Sequence, residues 1–334
     1  MPAKKLRWGI VSTAKIATEK VIPGLLRSQR CDVVGIASRD LHRAEAAVKK
    51  LGLKRAYGSY EELLADPEID VIYNPLPNHL HVPVTLQAAA SGKHVLCEKP
   101  IGLDAEDAAQ LHRIGDKVQV LEAFMVRFHP QWLRARDLVE QGAIGPVQAI
   151  QVYFSYFNAD PNNIRNKRDI GGGAALDIGC YPIVIARFIF KAEPERVIAL
   201  IDRDPVTGVD RLTSGLLDFG DGRRLDFTVG TQSVPYQRVQ IIGSKGRIEI
   251  QIPFNAPQAA TTLVFCDDGS KLDGSAIVTE TIAACDQYAL EGDAFVEMIL
   301  GERPCAYGIE DAIQNMRILD ALFRSEESGR WEKP

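Results

Sequence analysis

At 334 residues the chain is too long for one ordinary core, so two domains are expected. It is 46% hydrophobic and 25% charged, which is globular, and a net charge of −5 with a pI near 5.8 argues against the basic face that nucleic-acid binding needs. No run reads as the ~20 apolar residues of a membrane span, Met1-Pro2-Ala3-Lys4-Lys5 leads into an apolar strand rather than a secretory leader, and Cys31, Cys97, Cys180, Cys266, Cys285 and Cys305 are too scattered for a metal site or a disulfide framework. The expectation is a cytoplasmic, reduced, metal-free protein with neither nucleic-acid nor membrane partners.

In chain order, strand-like runs at Leu6–Val11, Val33–Ser38, Val71–Asn74, His94–Glu98 and Val118–Glu122 alternate with helical stretches at Lys15–Arg27, Leu41–Leu51, Leu80–Ser91 and Ala105–Asp116. That alternation predicts an α/β domain over residues 1–124, a doubly wound parallel sheet of the Rossmann type. Residues 125–334 change character. Val147–Phe157, Val197–Ile201, Leu212–Phe219, Arg224–Thr231, Arg238–Ile242 and Arg247–Ile252 follow one another with short turns, which predicts a large, mostly antiparallel open sheet of α+β type. An apolar helix is expected at Ala174–Phe190. Two more, around Tyr288–Leu300 and Ile309–Ser325, are expected to pack back on the first domain.

The first βα turn reads Gly9-Ile-Val-Ser12-Thr13-Ala14-Lys15-Ile16. A dinucleotide needs small residues here, because the backbone approaches its pyrophosphate at a helix N-terminus. Ser12 and Ala14 stand where the ideal pattern has glycine, but the second strand ends roughly 25 residues later, the expected offset. It ends Ser38-Arg39-Asp40, with Arg43 one turn on. A hydroxyl and two guanidiniums suit a ribose 2′-phosphate, which favours NADP; with Asp40 as a ribose acceptor and the arginines solvated, the cofactor is NAD.

Glu98-Lys99-Pro100 closes a buried strand, where ligands of open α/β sheets bind. Gly171-Gly-Gly opens a helix carrying Asp177 and Tyr181 four residues apart, hence on one face. Together with Asn74-Pro75-Leu76-Pro-Asn78-His79, these segments resemble the Gfo/Idh/MocA family (glucose–fructose oxidoreductase, inositol dehydrogenase and relatives) over nearly the whole chain. Tyr181, Asn163-Ile-Arg165 and Arg127-Phe-His-Pro130 are similar to its tyrosine-containing branch, that of glucose–fructose oxidoreductase and dimeric dihydrodiol dehydrogenase.

The resemblance implies hydride transfer between nicotinamide C4 and a carbinol carbon. Gly9, Ser12, Thr13, Ala14, Lys15, Ile16, Ser38, Arg39, Arg43, Asn74, Pro75, Leu76, Asn78, His79, Glu98 and Lys99 would hold NADP. Lys99, Tyr181 and Asp177 would be catalytic, and Arg127 and Arg165 would join those three at the substrate. A tyrosine near its usual pKa of about 10 needs a cation to act as a base, a role for Lys99. His79 and His81 either line the loop under the nicotinamide or are structural; Arg165 and Arg168 either touch substrate or are solvated. The expected substrate is a sugar or polyol, with a trans-dihydrodiol or a keto-sugar as alternatives and a silent NADP-binding sensor as the reading from another class. A homodimer or homotetramer through the second sheet is expected.

Overall fold

The computed structural model describes residues 4–258 and 262–334, without the side chains of 262–266; Met1–Ala3 and the Cys266 side chain thus lie outside the described residues. The chain forms two units, Met1–Met125 with Asp286–Ile313, and Val126–Cys285 with Gln314–Pro334.

The first unit is a six-stranded parallel sheet, ordered β3-β2-β1-β4-β5-β6. Its strands are β1 (Leu6–Val11), β2 (Cys31–Ala37), β3 (Arg55–Tyr57), β4 (Val71–Asn74), β5 (His94–Cys97) and β6 (Val120–Glu122). The central strands are covered on both faces, so Trp8, Ile10, Ile36, Ile72 and Leu96 are fully buried and the sequence shows continuous apolar runs. Two elements had no sequence signal: β3, only three residues long with Arg55 exposed, and the six-residue helix Tyr60–Ala65. β3 fits because Gly35 has no side chain; a Cβ there would stand 2.6 Å from the Arg55 carbonyl oxygen.

The helices also differ in detail from expectation. Residues 15–27 are helical, but Ala17–Val21 form a π-type turn before Ile22–Arg27. The expected Ala105–Asp116 helix runs only over Ala105–Ala109 and tightens to a 3₁₀ turn at Gln110–Arg113, short of Gly115. Helix Gln287–Ile299 is part of this unit: Phe295 packs edge-on to Trp8 at 6.1 Å, and Gly24 lets the backbone pass close to Tyr288.

The second unit is built on eight strands ordered β14-β13-β12-β11-β7-β10-β9-β8. They are β7 (Val147–Phe157), β8 (Arg196–Arg203), β9 (Asp210–Asp218), β10 (Arg224–Gly230), β11 (Gln232–Gly243), β12 (Arg247–Ile250), β13 (Thr262–Asp267) and β14 (Val278–Ile282). All neighbours pair antiparallel except β7 and β10, which run parallel. The intervening helix and the β8–β9 pair supply the crossover that a parallel pair needs.

Register aligns Val197, Leu217, Leu225, Ile150, Ile241 and Ile248 across six strands, and every one is fully buried. Helix Cys180–Phe190 packs over this face with all eleven residues buried. The segment Arg168–Phe190, 23 residues interrupted by Arg168, Asp169, Asp177 and Arg187, has an 18-residue window of mean hydropathy 1.5, enough by length and composition alone to cross a membrane. Its most apolar window is 89% buried inside the protein, and that burial accounts for its hydropathy. The opposite face aligns Leu200, Ser214, Thr228, Tyr153 and Arg238, with Leu200 79% exposed.

Candidate active site

Order β3-β2-β1-β4-β5-β6 reverses between β1 and β4, and ligands of such sheets bind at the carboxyl ends flanking that reversal. The chain leaves β1, β2, β4 and β5 at this edge through Ser12–Ala14, Ser38–Asp40, Asn74–Leu80 and Glu98–Pro100. Ser12 has φ +89°, a conformation that favours glycine, and its N–H donates to the Ala37 carbonyl at 2.9 Å. Serine therefore takes the backbone shape that the glycine pattern would supply. The helix starting at Lys15 directs its first N–H groups toward the same edge.

A cavity of about 440 Å³ is lined by Ser12, Thr13, Ala14, Ser38, Arg39, Asp40, Arg43 and Tyr60. It gathers the small turn and the two expected arginines in one place, and adds Tyr60, which sequence reasoning missed. Asp40 spends a carboxylate oxygen as the N-cap of Leu41–Leu51, accepting from the His42 N–H at 3.0 Å. The residues fit a ribose carrying a 2′-phosphate: two guanidiniums and a serine hydroxyl at the rim, and an acidic residue committed to its own helix. Gly9 is buried in β1, and Lys15 is exposed at the helix start.

Asn74 is fully buried and shapes the loop after β4, donating to the His81 carbonyl at 3.1 Å and accepting from the Leu76 N–H at 3.3 Å. The His81 ring nitrogens lie 2.6 Å from the Leu76 carbonyl oxygen and 2.7 Å from that of Pro100. Burial pushes this ring down to about 4 against the pull of the two carbonyls, so at neutral pH it donates to one of them and ties the loops together. Pro75, Leu76, Asn78 and His79 follow along the same loop, with Leu76 buried and Asn78 and His79 half-buried. Glu98 accepts the Tyr73 hydroxyl at 2.6 Å, and burial pushes that phenol well above its usual range. Lys99 is half-buried at the β5 exit, and its field also lowers His81.

In the second unit the three glycines let a loop close on itself. Gly172 N–H donates to the Lys167 carbonyl and Gly173 N–H to the Arg165 carbonyl, both at 2.9 Å; a Cβ at Gly172 would crowd both carbonyls. The following turn, Ala175–Gly179, is π-type rather than α-helical, which corrects the simple four-residue face drawn for Asp177 and Tyr181. The two side chains nonetheless meet one face of β7. Asp177 Oδ2 accepts the Tyr156 hydroxyl at 2.5 Å and Arg165 Nε at 3.0 Å, while the Tyr181 ring packs 5.9 Å from Phe154 and 5.1 Å from Phe254.

Burial, and then the Asp177 charge, push the Tyr156 phenol far up, so it stays protonated and donates. Tyr156 is a site residue that sequence reasoning missed. Its signal was period two: it shares a face with Ile150, Val152 and Phe154. Arg127 is buried near the start of this unit, and Arg168 lies in the exposed 3₁₀ turn before Gly171. Among the described residues no three His, Cys, Asp or Glu side chains gather as metal ligands.

Residues 6–128 match the model of an oxidoreductase family with an NAD-binding Rossmann fold, and residues 132–249 match the GFO/IDH/MocA C-terminal domain. The chain is 47% identical to an uncharacterised oxidoreductase of Rhizobium meliloti, over 98% of both chains. It is 38% identical to D-xylose 1-dehydrogenase (NADP(+)) 2 of Haloferax volcanii, over 97% of this chain and 98% of that one. The 3-ketoreductase of Actinomadura kijaniata, solved in complex with NADP and TDP-benzene, is similar with a TM-score of 0.88 at 29% identity, over 96% of this chain and 98% of that one. With a nicotinamide-binding Rossmann unit and a matching C-terminal unit over almost its full length, the chain is an enzyme of the Gfo/Idh/MocA oxidoreductase family.

Proposed function

We propose that this oxidoreductase uses NADP(H) to interconvert a secondary alcohol and a ketone on a sugar or polyol-like substrate, with Lys99 and Tyr181 handling the proton. The observation that carries the cofactor choice is the cavity rimmed by Ser38, Arg39 and Arg43, beside an Asp40 engaged in capping. The NADP-linked xylose dehydrogenase among its relatives supports both cofactor and substrate class. When bound, NADP(H) supplies or accepts the hydride at nicotinamide C4. The chain's own residues do the rest. Tyr181 takes the hydroxyl proton or returns it; the Lys99 ammonium favours the phenolate and steadies the reacting oxygen. Asp177, oriented by Tyr156 and Arg165, accepts from a neighbouring substrate hydroxyl, a need that a sugar or polyol has and a simple alcohol lacks.

Loss of one charge-assisted phosphate contact costs on the order of 1.5–3 kcal/mol, roughly 10- to 100-fold in affinity. Arg39→Ala is therefore expected to weaken NADPH binding by that factor in a fluorescence titration and to leave NADH nearly unchanged. Equal losses for both cofactors would refute the NADP assignment.

Assembly follows from the outer sheet face. Leu200 on the edge strand β8 is 79% exposed, and Val234 and Tyr236 on β11, in the same sheet with β9, β10 and β7 between, are exposed by 76% and 46%, with Tyr236 packed edge-on to Tyr153 of β7. A homodimer or dimer of dimers through this face is expected, so light scattering should give a mass at least twice 36.8 kDa at micromolar concentration. A monomer mass would contradict it.

A further inference from the structure

Helix N-termini are usually capped by the residue just before them, and the one that carries Asp177 is not. Its N-cap position is Ala174, which has no side-chain acceptor, and the residues before it are glycines. The acceptor comes from another element. Asp210, the first residue of β9, is 2% exposed, and its Oδ2 accepts both the Ala175 N–H at 2.6 Å and the Thr213 hydroxyl at 2.8 Å. Its Oδ1 stands against Gly173, where a Cβ would overlap it and where φ is +120°.

We infer that Asp210 is a positioning residue for the reaction, holding from strand β9 the first turn of the helix that presents Asp177 and Tyr181. This rests on the catalytic reading of those two residues given above. The chain of contacts is short. Asp210 fixes Ala175, the π-type turn Ala175–Gly179 begins there, and Asp177 lies within that turn with its N–H on the Gly173 carbonyl at 3.0 Å. The Asp177 carboxylate then meets Tyr156 and Arg165, a geometry that survives only while the turn keeps its place. The requirement for glycine at 173 has the same origin, because the Asp210 carboxylate fills the space of a side chain. Burial pushes Asp210 up to about 6, against the Ala175 and Thr213 hydrogen bonds and the charge of Arg203, which is itself paired with Glu326. What the turn needs from Asp210 is an acceptor oxygen in a fixed place, and since both hydrogen bonds fall on Oδ2, an amide oxygen can serve.

The test is steady-state kinetics, with rates expressed per NADPH-binding site, on Asp210→Ala, Asp210→Asn, Thr213→Val and Asp177→Asn. Asp210→Ala is expected to lose at least tenfold in kcat and Thr213→Val about threefold. Asp210→Asn is expected to stay within threefold of wild type, and all should keep the wild-type NADPH affinity. Thr213→Val keeps the branched shape while removing the hydroxyl that donates to Asp210, and it keeps the test alive if Asp210→Ala does not fold. A purely structural role would reduce the number of NADPH-binding sites and leave the rate per site unchanged, which would overturn the inference. So would wild-type kcat in Thr213→Val and in any folded Asp210→Ala while Asp177→Asn is impaired; the catalytic reading would then stand. Wild-type turnover in Asp177→Asn would instead show that the Asp177 charge is not needed, and would overturn the inference that Asp210 acts through that carboxylate; the proton-carrying part of the catalytic reading stands or falls separately with Tyr181→Phe.

Discussion

Tyr181→Phe is expected to lower kcat by roughly 10²–10⁴, the usual worth of general acid–base catalysis, while NADPH binding persists. The phenyl ring keeps the packing against Phe154 and Phe254, so the loss isolates the hydroxyl. Lys99→Ala should lose a comparable amount. The double variant should lose little more, because groups that act as a unit are non-additive. Lys99→Arg separates the roles of the lysine: it keeps the charge and changes the donor geometry, so partial activity would assign the lysine an electrostatic part. The wild-type pH profile should carry a basic limb that Tyr181→Phe removes. Near-wild-type turnover in Tyr181→Phe would leave the tyrosine as packing and make Lys99 the sole proton carrier.

Acid should destabilise the fold well before the ion-paired carboxylates titrate. Burial holds His81 and His129 at about 4, against an ordinary 6.5. Between those values an unfolded chain takes up protons that the folded chain refuses, so stability falls as pH drops through that window, by on the order of 3 kcal/mol for each ring. His94 is lowered in the same sense, also chiefly by burial. Asp210, pushed up to about 6 from 3.8, acts oppositely, since the folded state is protonated first; it offsets about one of the histidines. Ion-paired carboxylates such as Asp70, whose values are lowered, contribute their loss only below about pH 4. The net expectation is a loss on the order of 3 kcal/mol between pH 7 and pH 4, read from urea midpoints at the two values. His129→Gln should flatten that slope, since the rest nearly cancel. A midpoint unchanged or higher at pH 4 would show that these rings are not neutral and buried in the native state.

Much of the fold could be read from residues because burial on both faces leaves unbroken apolar runs. β1 and β4 fall at Leu6–Val11 and Val71–Asn74, the bounds that the sequence predicts, and β7 falls at its predicted Val147–Phe157 through alternation, with one face buried and the other open. Shorter or more polar strands left no such mark. β14, Val278-Thr-Glu-Thr-Ile, alternates threonine and glutamate at a sheet edge, and β13 beside it was also missed. The site divides the same way. Arg39, Arg43 and the Ser12 turn, singled out by charge and small size, line one cavity. Lys99, Asp177 and Tyr181 were singled out by the motifs around them. Tyr156 and Asp210 were not, because their roles are set by what they touch across the sheet, at distances no local pattern encodes. The π-type turn at Ala175–Gly179 left no mark, because Asp177 and Tyr181 four residues apart read as one face of an ordinary α-helix.

The most direct test is initial-rate oxidation of a panel of aldoses, inositol and a trans-diol, each with NADP+ and with NAD+, alongside reduction of keto-sugars with NADPH and NADH. An NADP-dependent oxidoreductase acting on sugars will turn over at least one carbohydrate, in one direction or the other. Its kcat/KM should be roughly tenfold or more higher with the phosphorylated cofactor, the least that one lost phosphate contact implies. NADPH binding without turnover of any secondary alcohol or ketone would contradict it and mark the chain as a cofactor-binding sensor.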